Sequence, residues 1–379
     1  MKKVLVFGAG LIGAPIAFDL AADDEFDVTV VDVSKINLTK FDGCRKIKTW
    51  QRDLSDTNEV ARIVKGFDFV LSAVPGYMGF NTLKAVIEAG KDVVDISFFS
   101  EDPFDLNQLA IEKGVVAIAD MGVAPGMSNV LVGHACSELE EPTNVKIYVG
   151  GLPRIREWPY EYKAVFSPVD VIEEYTRPAR FVENGNCIIK PALSDPELLD
   201  FPCIGTLEAF NSDGLRSLIK TIKCSNMIEK TLRYKGHIEI IKVLRDTGFF
   251  DKKPIDLNGT KISPLEFTSK ILFPKWKLNE GDEDLTVMRI IVEGVQKNKS
   301  IRYTYDLLDY YNTQTCVHSM ARTTGYAATM ALRTISNGLY ESIGISTPEF
   351  LGKDKNCVDF MLNGLAQRGI YYTETIEEF

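Results

Sequence analysis

The stretch KVLVFGAGLIGAPIAFDLAADDEFDVTVVD, Lys3–Asp32, decides the fold. Lys3–Phe7 is a short apolar run of the kind that parallel sheets bury on both faces, and Gly8-Ala9-Gly10-Leu11-Ile12-Gly13 follows it directly. A helical pattern then runs from about Leu11 to Ala22, with Pro15 near its start, where a missing N–H costs little. A second predicted strand, Asp27–Val31, ends in Asp32, nineteen residues after Gly13. In a strand, turn and helix of this kind Gly8 permits the tight reversal and Gly10 lets the backbone approach a diphosphate, while Gly13 lets the helix pack close to the sheet. The helix N-terminus, with Leu11 and Ile12 beside it, offers free N–H groups and a dipole that favour an anion.

Working outward, the rhythm repeats. Strands are predicted near 46–50, 68–73, 92–96 and 115–119, and helices near 57–64, 79–88 and 104–112. Strands alternating with helices of this length give an α/β fold of the Rossmann type, a doubly wound parallel sheet covered on both faces. Asp32 is placed to accept hydrogen bonds from a ribose, and its charge repels a 2′-phosphate, so NAD is preferred to NADP, with Lys35 close by as a counterweight. Asp53 either reaches adenine through the adjoining backbone or is a surface turn residue. Ser72, Val74 and Pro75 follow the fourth strand, on the edge where open α/β sheets bind ligands, and are expected to face the nicotinamide half.

Beyond Pro125-Gly126 the pattern changes to a helix near 128–138, a strand near 145–149, and turn-rich segments with strand-like pieces at 180–182 and 187–190. From about His318 it becomes helical again, with 321–336 the clearest helix. The expected organisation is a dinucleotide-binding domain at 1–124 and an α+β substrate and dimerisation domain at 125–317. A helical return at 318–379 is expected to pack on the first domain.

Composition narrows the function. Lys plus Arg number 43 against 53 Asp plus Glu, a formal charge of −10 that repels nucleic acid and anionic membranes. No apolar stretch reaches the ~18 residues a membrane span needs. The seven cysteines are scattered and the three histidines lie far apart, which points to free thiols in a reducing cytoplasm and to no dedicated metal site.

The segments ADMGVAPGMSN (Ala119–Asn129), YVGGLPRIREWPYEYKAVFSP (Tyr148–Pro168), GTLEAFNSDGLRSL (Gly205–Leu218), KTLRYKGH (Lys230–His237) and MARTTGY (Met320–Tyr326) make the chain similar to the saccharopine dehydrogenase-like family, and most like its lysine 6-dehydrogenase branch. One departure lies in FSPVD (Phe166–Asp170), where Asp170 stands at a position the family usually gives to Gly. The resemblance implies an NAD(P)-dependent oxidoreductase acting on CH–NH or CH–NH2 donors and a homodimer built through the second domain. It also implies a saccharopine or carboxynorspermidine-type dehydrogenase as the neighbouring activity. A non-catalytic dinucleotide sensor is the reading of another class.

Oxidising an amine requires a base near neutral pH, for which His237 is the first expectation. A substrate α-carboxylate calls for a guanidinium clamp, and the family's TLRY motif puts Arg233 in that role, with Arg322, Arg216 and Lys163 in reserve. Tyr162 and Tyr234 are candidate hydrogen-bond donors to the substrate. Asp120 is a candidate to orient the carboxamide or the ammonium, with Met121 and Gly122 passing beside the nicotinamide.

Overall fold

The computed structural model describes residues 1–165, 168–279 and 281–379. The chain forms two compact units, Met1–Ser137 with Ala321–Tyr371, and Glu138–Met320 with Tyr372–Phe379.

In the first unit the apolar runs become parallel strands: β1 (Lys2–Phe7), β2 (Phe26–Asp32), β3 (Ile47–Gln51), β4 (Phe69–Ser72), β5 (Asp92–Asp95) and β6 (Val116–Ile118). Their spatial order is β6-β5-β4-β1-β2-β3, so the chain reverses direction between β1 and β4, the crevice where such sheets take ligands. Val4–Phe7, Val30–Val31 and Val70–Leu71 are fully buried, because helices cover both faces of the sheet. The apolar core on one side gathers Leu5, Phe7, Val31, Leu83, Val86, Phe99 and Ala117.

The C-terminal return is helical, with helices Ser319–Ser336, Pro348–Gly352 and Lys355–Gln367, but it also carries two strands. Gly344–Ser346 adds a seventh parallel strand beside β6, and Tyr372–Glu378 joins the other sheet. Arg333 and Arg368 both grip Asp19 of the first helix, at 2.8 and 2.5 Å, tying this return to the first unit.

The second unit is built on a nine-stranded mixed sheet. Its strands are β7 (Glu141–Pro153), β8 (Ala179–Glu183), β9 (Asn186–Lys190), β10 (Glu197–Phe201), β11 (Gly205–Asn211), β12 (Asn226–Tyr234), then, after a separate hairpin of β13 (Ile255–Leu257) and β14 (Thr260–Ile262), β15 (Asp284–Gln296) and β16 (Lys299–Tyr310). The spatial order is β10-β11-β12-β7-β15-β16 followed by Tyr372–Glu378, with β8 and β9 branching from β12. Only β7 and β12 among these neighbours run parallel, which bears out the expected α+β character.

Successive side chains of β12 leave opposite faces of the sheet. Tyr234 and Leu232 pack with Tyr148, Leu152 and Leu207 on one side. The other side is covered by the helices Pro168–Thr176, His237–Asp246 and Pro264–Trp276, around a core of Tyr162, Tyr175, Phe210, Ile238 and Trp276. Among the described residues no helix is long and apolar enough to cross a membrane.

Candidate functional site

The glycine turn of the first unit is shaped by close approaches. Gly8 has φ +91°, and a Cβ there would lie 2.7 Å from the Ala73 carbonyl oxygen of the neighbouring crossover. A Cβ on Gly13 would sit 2.1 Å from the Gly8 carbonyl oxygen, so any side chain would open the turn. Gly10 differs, because its Cβ would meet no atom of the described residues within 4 Å. Its missing side chain leaves room above the turn, which suits a diphosphate laid against the head of helix Gly13–Ala22. Leu11 is half-exposed and Ile12 caps that helix.

Asp32, at the end of β2, braces this turn. Its Oδ2 accepts from the Ala9 N–H at 2.7 Å and its Oδ1 from the Ser34 N–H at 2.7 Å, with the Asn37 amide at 3.3 Å. Lys40, which sequence reasoning missed, donates to the Ala9 and Gly10 carbonyls at 2.8 and 3.3 Å. Burial lowers its pKa while the nearby Asp32 carboxylate raises it. Asp53 is exposed and accepts from the Ser55 N–H at 2.9 Å.

At the carboxyl ends of β4, β5 and β6 lies a buried polar group. Ser72, Asp95, Ser97 and Asp120 are all at most 3% exposed. Asp95 Oδ1 accepts from the Ser97 N–H at 2.6 Å, while its Oδ2 and the hydroxyls of Ser72 and Ser97 have no hydrogen-bond partner among the described residues. Burial, and then the like charge of Asp120, pushes the Asp95 carboxyl up to about 7; the neighbouring Ser97 and Ser72 only partly offset this. Asp120 holds a left-handed φ of 59°, Met121 donates its N–H to the Asp95 carbonyl at 2.9 Å, and Gly122 follows. Val74 is buried, and Pro75 caps the helix Gly76–Glu88. Room over Gly10 and unpaired polar atoms at this edge together fit a dinucleotide.

The second unit holds a buried polar array on the helix-covered face of β12. His237 Nδ1 lies 2.8 Å from the Tyr160 carbonyl, which can only accept, so Nδ1 carries the hydrogen and Nε2 keeps its lone pair. The Tyr175 hydroxyl, 2.9 Å from Nε2, must therefore donate to it. Arg233 Nε in turn donates to the Tyr175 oxygen at 3.2 Å, its Nη2 to Glu174 at 2.7 Å and its Nη1 to the Leu232 carbonyl at 2.9 Å. Every donor in this chain has a fixed direction. Burial, and then the Arg233 charge, lowers the His237 pKa to about 3, so the ring is neutral. The Arg233 guanidinium covers the Tyr162 ring at 4.5 Å.

Glu229 and Thr231 share the face of β12 with Arg233. Glu229 Oε2 accepts from the Ser212 hydroxyl at 2.7 Å and the Gly214 N–H at 3.1 Å. Burial, with Glu174 and Asp213 nearby, pushes its pKa up to about 8.

Of the residues singled out from sequence, Arg233, His237 and Tyr162 meet in this array. Tyr234 points to the opposite face, its hydroxyl donating to the Pro153 carbonyl at 2.9 Å and its ring lying under Arg156. Lys163 pairs with Glu157 at 3.0 Å. Arg216 is buried with a left-handed φ of 51°, and Arg322, in the first unit, donates to the Arg368 carbonyl. Phe166 and Ser167 of FSPVD lie outside the described residues, and Asp170 falls in the first turn of helix Pro168–Thr176. Glu174, Tyr175 and Glu229 were missed. An acid-acid-aromatic run, Glu173-Glu174-Tyr175, on an amphipathic helix was the one available signal.

Residues 4–118 match the saccharopine dehydrogenase NADP binding domain, and residues 122–370 match the saccharopine dehydrogenase C-terminal domain. The chain belongs to the saccharopine dehydrogenase family. Its relatives within that family include the NADP-dependent, L-glutamate-forming saccharopine dehydrogenase of Saccharomyces cerevisiae, 25% identical over 265 residues that span 65% of this chain and 58% of the yeast one. The carboxyaminopropylagmatine dehydrogenase of Synechocystis sp. is 23% identical and aligned over 99% of this chain and 98% of its own. The mitochondrial alpha-aminoadipic semialdehyde synthase of Bos taurus is 22% identical over 98% of this chain, which spans 47% of the bovine protein. The chain thus spans about half the length of several relatives it matches. Apo saccharopine dehydrogenase from S. cerevisiae has the same fold, with a TM-score of 0.82 at 20% identity over the full length of both chains.

Proposed function

We propose that this family member is a nicotinamide-dependent oxidoreductase that oxidises an amino-acid amine, most specifically L-lysine at its 6-amine to the semialdehyde. The observation that carries the reading is the pairing of an open glycine turn in one unit with a buried guanidinium array in the other. When bound, the cofactor would supply the hydride acceptor for the amine-bearing carbon, and water would hydrolyse the resulting iminium to the semialdehyde and ammonium. Gly8–Gly13 and Asp32 would hold its diphosphate and ribose, and Ser72, Val74, Pro75, Met121 and Gly122 its nicotinamide half.

The Asp32 carboxylate, held at the end of β2 by the Ala9 and Ser34 N–H groups, favours NAD over NADP. The relative from yeast is named for NADP, and both cofactors belong in the assay. Arg233 is proposed to clamp the α-carboxylate. With both nitrogens engaged and its pKa near 3, His237 suits the positioning of Tyr175 and Arg233 better than proton acceptance. The substrate amine then enters in its neutral form, the minority below an ordinary amine pKa of about 10.4, so kcat/KM rises with pH.

Lysine is favoured over a larger polyacidic amine because Arg180, the cation beside Glu229, is already held by a carboxylate of its own. Arg180 pairs with Asp213 at 2.8 Å, and Asp213 lies within electrostatic reach of Glu229. A cytoplasmic homodimer completes the reading. The test is the absorbance of reduced nicotinamide during incubation with NAD or NADP and L-lysine, saccharopine and diamines. A signal with lysine is expected, and silence with the whole panel removes the substrate class.

A further inference from the structure

Arg233 is 2% exposed, yet it is not inert, because only part of its donor set is locked. Its Nε–H is fixed by Tyr175, whose own hydrogen is committed to His237. The partner on its Nη2 is Glu174, a carboxylate on another element, helix Pro168–Thr176. About a quarter of the Glu174 side chain reaches solvent (24%), so an incoming molecule meets the pair from the glutamate side.

We propose that Glu174 and Arg233 form a charge-exchange site for the zwitterionic head of an α-amino acid, in which Arg233 takes the carboxylate and Glu174 takes the α-ammonium. This deepens the amino-acid oxidoreductase reading and rests on it. The reason is charge balance in a poorly solvated place. Removing one partner of a buried ion pair leaves the other charge uncompensated, which is far more costly than the pair itself is stabilising. A ligand bearing only a carboxylate would draw Arg233 away and strand Glu174, which Asp170 already repels. A diamine without a carboxylate would strand Arg233 instead. A zwitterion replaces one ion pair by two, and no net charge is added.

A second, independent observation points to the same place. Tyr162 is 3% exposed, and among the described residues its hydroxyl hydrogen finds no acceptor. Arg233, Tyr175 and Glu174 all lie within electrostatic reach of that hydroxyl. A carboxylate oxygen delivered to Arg233 would supply the acceptor that the folded chain withholds from Tyr162.

The test compares L-lysine with 6-aminohexanoate, which lacks the α-ammonium, and with 1,5-diaminopentane, which lacks the carboxylate. The full chain should prefer L-lysine to either by about 100-fold or more in kcat/KM, as expected when a mismatched ligand leaves buried groups unpaired. Glu174→Gln should cut the preference over 6-aminohexanoate at least about tenfold, with the loss confined to L-lysine and cofactor affinity unchanged. Equal losses on both substrates, or no preference in the parent, overturn the proposal. Should Glu174→Gln fail to fold, calorimetry on the parent decides: L-norleucine should bind and hexanoate should not. Heat from L-norleucine without turnover of any amino acid would remove the activity but keep the site. Turnover of lysine with no heat from L-norleucine would remove the site but keep the activity.

Discussion

Replacing Gly10 by Ala separates cofactor binding from folding. Gly10 is not among the glycines with positive φ, and a Cβ there meets no atom of the described residues within 4 Å. The folded protein therefore tolerates the methyl group, and the smaller entropy of the unfolded chain should add about 0.4–1 kcal/mol of stability. The methyl group instead fills the space over the turn. Losing one backbone hydrogen bond to a charged diphosphate costs about 1.5–3 kcal/mol, or roughly 10- to 150-fold in Kd. Gly13→Ala is the control, because its Cβ would sit 2.1 Å from the Gly8 carbonyl oxygen and 2.7 Å from the Gly8 carbonyl carbon. It should cost about 1–3 kcal/mol or more of stability and lower Tm by several degrees. Calorimetric titration with NAD and NADH, beside thermal unfolding of each variant, reads both effects. Parent-like affinity in Gly10→Ala, or a drop in its Tm, would refute the reasoning.

Other changes follow from the same geometry. Asp32→Asn should weaken NAD by about 10-fold or more through lost charge-assisted hydrogen bonds and shift the NAD-to-NADP ratio of kcat/KM toward NADP; an unchanged ratio would separate Asp32 from the ribose. His237→Ala leaves the Tyr175 hydroxyl without its acceptor and should destabilise the protein by about 2–4 kcal/mol while leaving NAD affinity unaltered, as denaturant titration and calorimetry would show. Because the folded His237 refuses a proton down to about pH 3, its contribution is fully present above pH 6.5 and is lost as pH falls through that window. Glu229 has the opposite sign. Raised from 4.5 to about 8, it gives stability that is present below pH 4.5 and fades as pH rises to about 8. That loss is at most about 5 kcal/mol, at about 1.4 kcal/mol per unit. Glu229→Gln should remove this slope and raise the urea midpoint above that of the parent at pH 8.5.

The doubly wound sheet was legible because fully buried parallel strands are written as largely apolar runs; Val4–Phe7 is unbroken, and Val28–Val31 is interrupted only by Thr29. Gly344–Ser346 was not legible. Three residues carry no period, and their pairing with Val116–Ile118 reaches across more than half the chain. β16 was written in the sequence but passed over: Ile301, Tyr303, Tyr305 and Leu307 alternate with outward-facing residues. The array around Arg233 is a different matter. Tyr160 and Tyr162, then Glu174 and Tyr175, then Ser212, and finally Glu229 to His237 come from four stretches that only the sheet and its covering helices bring together. No spacing rule links them. The engagement of both His237 nitrogens depends on a carbonyl 77 residues away, which residue type alone does not reveal.

The most direct measurement follows the transferred hydrogen. L-Lysine carrying two deuterium atoms on its 6-carbon is incubated with the protein and oxidised cofactor, and the reduced nicotinamide is examined by mass spectrometry. One deuterium per reduced nicotinamide, with the other retained in the semialdehyde, is the predicted result. Reduced nicotinamide without deuterium, or no reduction at all, would contradict the account.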